Sequence, residues 1–384
     1  MIMSLKHTLL IPLLLTTSLL FSQTIYVVDQ NPNAPSGDHV YADLQQCIDA
    51  ASAGDIIHVI PALDNYGTVT IDKELHLVGA GWVPDIQSGL KSMIYRIIFE
   101  ANTSNGSTLN GLIFTQTNDY SILLGEPNAP LDTLKNIEIF NCRVPGIKQL
   151  SNSPMKNITL RNNIFGGLQT TLGFPAMNFL ISSGMTEDFI ITNNIITVNY
   201  ANGNVRASLS AANQTLIVNN LFYAQSGYYA FHDVVNCFIT NNVFFGASAS
   251  SYQYGATVGQ NYNNVYSNNL SYNCTSYGGC DIPPVSTALP ANIGNGNLPN
   301  TDPLYATLDD AWFWSVSNSL ELLDFSPLVD GGTDGSDIGV TGGLYPFNSY
   351  ENLRGVPYIH EMSVPGLILE NQDLHLEAEA RSNQ

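Results

Sequence analysis

The chain has 384 residues, of which 44% are hydrophobic and only 11% charged. That charge content excludes a mostly helical surface, which carries far more Lys and Glu, and points to an all-β, turn-rich protein. The net charge of −20 repels phosphate backbones and anionic membranes, so nucleic acid is excluded as a partner.

Lys6 and His7 precede an apolar run at residues 8–21. The run is short for a bilayer core of about 30 Å, and polar Ser22 and Gln23 follow it. The expectation is a cleaved signal peptide over residues 1–22 and a secreted or outer-surface protein. No later apolar run reaches membrane length, so no transmembrane segment is expected. Five cysteines are present. Cys274 and Cys280 flank a short loop and are candidates for a local disulfide, as an oxidising compartment permits. Cys47 shares an apolar helical stripe with Leu44, Ile48 and Ala51 over residues 41–52, which predicts a short buried-face helix. No Cys/His spacing suggests zinc.

A repeat dominates residues 135–270. Alternating apolar segments end in Asn141-Cys142 and then in the doublets Asn162-Asn163, Asn193-Asn194, Asn219-Asn220, Asn241-Asn242 and Asn268-Asn269. The first Asn recurs at intervals of 21, 31, 26, 22 and 27 residues. Self-similarity at that period indicates stacked coils. Each unit has the period of a half-buried strand, then a residue that tolerates left-handed backbone, then a second strand. Coils stack about 4.8 Å apart, which lets Asn163, Asn194, Asn220, Asn242 and Asn269 form a hydrogen-bonded ladder. The unequal intervals are absorbed as loops on one side of a solenoid. The predicted fold is therefore an all-β, right-handed parallel β-helix of roughly ten coils over residues 23–344, capped by the helix at 41–52.

Both ends carry a family resemblance. The run ASAGDIIHVI at residues 51–60, with Tyr66-Gly67 and LHLVGAG at 75–81, resembles the opening of pectin-lyase-like β-helix proteins. TDPLY at 301–305, Leu320, SPLVDGG at 326–332, Asp337-Ile338-Gly339 and Gly342-Gly343 are similar to the closing coils of secreted bacterial members. The resemblance spans about residues 24–344 and implies the fold. It does not fix an activity, because that superfamily holds lyases, hydrolases and adhesins. Residues 345–384, with LHLEAEA at 374–380, resemble the short tails of surface proteins from Bacteroidetes-type bacteria, and are expected to cap the last coil or dock to a cell-surface component.

Four inter-coil connections hold the unusual residues: 166–188, 198–214, 223–236 and 246–262. Tyr200, Tyr228, Tyr229, Tyr252 and Tyr254 could stack on sugar rings, since an aromatic face with a polar tip suits such a ligand. His232 beside Asp233, with Arg206 in a neighbouring loop, is the candidate for acid–base work. The alternative is an ordinary strand through His232 that Asp233 ends. Asp330, Asp334 and Asp337 could hold calcium, or close a solvated turn. Calcium is the one cofactor with candidate ligands. Three function classes remain: a polysaccharide-binding protein acting through loops on one face, a polysaccharide lyase or glycoside hydrolase, and a structural or adhesive surface protein.

Overall fold

The computed structural model describes residues 23–32, 34, 36–81, 90–116, 119–125, 132–150, 154–166, 179–180, 186–198, 200–201, 204–205, 209–211, 215–251, 253–254, 257–274, 279–308, 318–347, 358–363 and 377–381. The expected signal peptide at residues 1–22 lies outside them. The fold is a parallel β-helix, with crossovers of the usual right hand. One coil shows the plan. The strand Met155–Arg161 leads through Asn162 and Asn163 to Ile164–Phe165, the chain reaches Phe179–Leu180, and Thr186–Thr192 begins the next coil beside Met155–Arg161. Stacking these coils builds a 12-stranded long face, a 10-stranded second face and a 5-stranded third face, in which every pairing along the stack is parallel.

Register along the long face is fixed by what turns inward. Ile57, Leu77, Leu109, Ile139, Leu160, Ile191, Ile217 and Ile239 occupy one column, each fully buried. A slip of one residue would send that whole column into solvent. At the next corner Asn141, Asn162, Asn193, Asn219, Asn241 and Asn268 all have φ between 49° and 55°. Gly111, at φ 68°, takes the same position one coil before Asn141. A Cβ there would lie 2.8 Å from the carbonyl oxygen of Gly79, so only glycine fits.

The inner asparagines form a polarised ladder. The backbone N–H and the Nδ2 of Asn194 both donate to Asn220 Oδ1 at 3.0 Å. Asn220 donates in the same way to Asn242, Asn242 to Asn269, and Asn269 to Asn297. The other Nδ2 hydrogen returns to the preceding coil, as from Asn220 to the Ile191 carbonyl at 2.9 Å. Nothing in the doublets announces a second corner of the same kind, five residues earlier. Asn136, Asn157, Asp188, Asn236 and Asn263 all have φ between 53° and 57°. There Cys237 and Asn264 continue a ladder inward, to Asn264 Oδ1 and Asn292 Oδ1.

The N-terminal end is closed by the helix Leu44–Ala50, shorter than the expected 41–52 because Asp43 caps it, accepting from the Gln46 N–H at 2.8 Å. Leu44, Cys47 and Ile48 are its buried side.

The C-terminal third corrects the sequence expectation. Among the described residues, 301–308 and 318–343 add no strand to the parallel faces. The last parallel strand is Ile293–Asn295, followed by a single bridge from Leu270 to Leu298. The described residues from 318 to 347 instead run back along the outside as a strap. Outer asparagines hold it: Asn268 Nδ2 donates to Gly331, Asn219 to Asp337 and Gly339, Asn193 to Val340 and Gly342, and Asn162 to Tyr345. Leu328, Ile338, Val340 and Phe347 cover the outward side chains of the second face, among them Ile164, Ile195, Leu221, Val243 and Leu270. These share a register row with Arg143. Its guanidinium is buried, and neither Nε nor Nη2 has a hydrogen-bond partner. In the tail, Tyr358–Ser363 and Glu377–Arg381 form an antiparallel pair.

Three predictions come from this packing. Asn220→Ala will destabilise the protein by about 1–3 kcal/mol, since it orphans ladder partners in the core; unchanged melting would contradict a buried ladder. Arg143→Met will stabilise it, by about 1–4 kcal/mol, by replacing an uncompensated buried ion with an apolar side chain; a fall in melting temperature would show that the guanidinium has a counter-ion in solution. Burial pushes the Cys142 and Cys237 thiols up to about 12 from an ordinary value of 9.0. The folded state therefore keeps protons that the unfolded chain releases, and stability falls as pH rises from 9 towards 12. Denaturant titrations should show that fall flattened in Cys142→Ala and Cys237→Ala.

Candidate functional site

Parallel register starts the four singled-out connections from successive second-face strands. Each leaves a second-face strand (Ile164–Phe165, Ile195–Thr197, Leu221–Val235 or Val243–Ser251) and ends before the next long-face strand. Two of them carry short antiparallel pairs: Tyr200–Ala201 with Asn204–Val205, and Gln253–Tyr254 with Thr257–Val258. Tyr200 and Tyr254 thus sit on hairpin strands, although their side chains lie outside the described residues, as do those of Tyr228 and His232. Tyr252 and Arg206 lie outside them entirely.

In the third connection the alternative of an ordinary strand through His232 holds, except that the strand runs two residues past Asp233. Residues 223–235 are not a loop but part of the 15-residue strand Leu221–Val235, which rounds the corner from the second face. It pairs with Val243–Ser251 on one coil and later with Leu209–Ala211 and Asn261–Tyr262. The physical reason is burial: Tyr223, Ala224, Ala230, Phe231 and Val234 are all inaccessible. Phe222, Phe231 and Phe244 pack on one another inside, with Phe222 and Phe244 stacked at 4.9 Å. Tyr229, a candidate sugar platform, is buried at 5% exposure and cannot offer an open face. Asp233 accepts the Gln260 N–H at 2.6 Å, which ties its carboxylate to the next coil.

On the same side, earlier in the stack, lies a cluster that no motif marks. Arg96, Ile122 and Ile147 begin neighbouring third-face strands. Arg96 Nη2 meets Asp119 Oδ2 at 2.7 Å, and its Nε donates to the Tyr120 carbonyl at 3.0 Å. Lys148 Nζ stands 5.6 Å from the centre of the Tyr120 ring, which is buried, so the open ring of the cluster is Tyr95. Gln116 Nε2 donates to Tyr95 Oη at 2.7 Å. Cation, aromatic ring, amide and hydroxyl are the groups that hold a polyhydroxyl ligand and tolerate an acidic one. The only sequence signal is spacing: Arg96 and Tyr120 are 24 residues apart, about one coil.

The remaining carboxylates do other work. Glu187 pairs with Lys156 at 2.7 Å, and Glu138 with Arg161, both on the long face. Asp334 accepts from the N–H and Oγ of Ser336, which holds its carboxyl below the usual range. Asp337 Oδ1 accepts from the Asp330 N–H at 3.1 Å. These three close the strap's turns and do not converge. Among the described residues no three His, Cys, Asp or Glu side chains lie together. A disulfide joins Cys274 and Cys280, while Cys47, Cys142 and Cys237 are buried thiols.

No family model matches the chain, and no curated protein matches it. It is similar to the solved structure of DFA-IIIase from Arthrobacter chlorophenolicus A6 without its lid, at 13% identity over 72% of this chain and 88% of that one, with a TM-score of 0.34. For the same enzyme in complex with GF2, identity is 15%, coverage 83% and 92%, and the TM-score 0.32.

Proposed function

We propose that this is a secreted β-helix protein that binds extracellular polysaccharide through the side of the stack between its second and third faces. One observation carries the reading. Register gathers Tyr95, whose ring is exposed, with Arg96, Asp119 and Lys148 on the side where the hairpin-bearing connections with Tyr200 and Tyr254 emerge. An elongated stack with aromatic and cationic groups along one edge suits an extended chain ligand better than a compact one. The Cys274–Cys280 disulfide supports export to an oxidising compartment.

The test is a depletion screen of the mature chain against neutral and acidic polysaccharides, with and without calcium, with released sugar ends assayed in the same wells. Binding without turnover is the expected result. Arg96→Gln combined with Lys148→Ala should weaken retention at least fivefold, more on acidic than on neutral chains. Release of unsaturated or reducing ends would make the protein an enzyme, and no retention on any glycan would refute the proposal.

A further inference from the structure

The long face differs from its neighbour in what covers it. On the second face, an outward apolar row is sealed by the strap. On the long face, an equivalent row is open. Ile190, Leu216, Phe238, Val265 and Ile293 are consecutive partners in register and point outward, one per coil. Leu216 is 37% exposed, Phe238 51% and Ile293 63%. Two residues along each strand, Thr240, Ser267 and Asn295 set hydroxyl and amide groups beside this ridge. In the two register rows that run through Phe238 and Thr240, no residue from Ile190 to Asn295 carries a charge, in a chain of net charge −20; Glu187 and Asp188 stand exposed at the start of the strand Thr186–Thr192, outside these rows.

Size and charge decide what could lie there. Two outward positions per strand and five strands at about 4.8 Å give a strip of about 7 by 20 Å. That is about 140 Å², against the roughly 800 Å² per partner of a stable protein interface. A second copy would also meet the repulsion of two strongly acidic molecules. A single extended polymer, flat and uncharged, fits the width, and its rings can advance at about the spacing of the strands. Sugar rings of an unbranched neutral chain would place their apolar faces on the ridge and their hydroxyls against Thr240, Ser267 and Asn295.

We propose that the outer surface of the long face, centred on Phe238, is a second binding surface for a neutral, unbranched β-linked polysaccharide, separate from the loop-bearing side. The assignment rests on the polysaccharide reading above and adds a ligand class and a place to it.

The experiment titrates the full mature chain with xylan, mannan and cellohexaose by affinity electrophoresis and calorimetry, and measures sedimentation in parallel. Phe238→Ala and Leu216→Ala remove exposed side chains, so both variants should melt as the wild type does. The expected result is a dissociation constant for neutral chains at least fivefold higher in each, with retention of acidic chains at the loop-bearing side unchanged in both ridge variants. Unaltered binding in both ridge variants would overturn the assignment while leaving the loop-side reading intact. No binding of any glycan by the wild type would remove both. A dimer that Phe238→Ala abolishes would also overturn it, by making the ridge a contact between copies.

Discussion

The hydrogen bond from each inner asparagine to the next is the constraint on which the coil geometry depends. An Asn side chain in that position receives two hydrogen bonds on Oδ1 and donates Nδ2 back to the previous coil, as Asn194, Asn220 and Asn242 do. Its buried polar atoms are thereby used within the stack, so a polar column can sit in an apolar core without the usual cost. The geometry works only if the preceding residue turns through the left-handed region, which is why asparagine fills that position from Asn141 to Asn268. Corner angle and register then repeat from coil to coil, while the connections elsewhere vary in length.

The satisfaction of the interior contrasts with the seam beneath the strap. The described buried side-chain atoms without partners belong to Arg143, Tyr305 and Thr341. Arg143 lies in the second-face row, and Tyr305 packs in the same outer cluster. Thr341 lies between Val340 and Gly342, both bound by Asn193. The strap is thus fastened by asparagines on the corner and by apolar contact on the face, with its mismatches confined between them. The Tyr223, Phe245 and Tyr272 rings that step along this face are part of that contact, packed 5.7–6.0 Å apart.

Much of the fold was legible because it is written locally. A doublet that must turn a corner, with apolar alternation before it, marks a coil without reference to any distant residue. The strap was not legible for the opposite reason. Its partners on the corner are backbone carbonyls of residues such as Gly339 and Gly342, which leave no trace in side-chain identity. The turn residues around Asp330 and Asp337 look the same whether they close a coil or cross one. The candidate site was harder still. Arg96, Asp119 and Lys148 are ordinary surface residues until the coil length brings them together. Tyr229 looked available because a tyrosine in a connection carries no mark of its burial, here at 5% exposure.

The strap also changes how the molecule resists being taken apart. A stack in which each coil touches only its neighbours can fray from an end, one coil at a time. Here a segment that follows the last coil in sequence is bonded to Asn268, Asn219, Asn193 and Asn162 in turn. Tension along the strap from its Phe347 end would load the bonds at Asn162 and Asn193, in the middle of the stack, before those nearer the terminal coil. The asparagines that turn the corners thus act as rivets for a fastening laid across the coils, and the end most exposed to pulling is protected by contacts made deep within the stack.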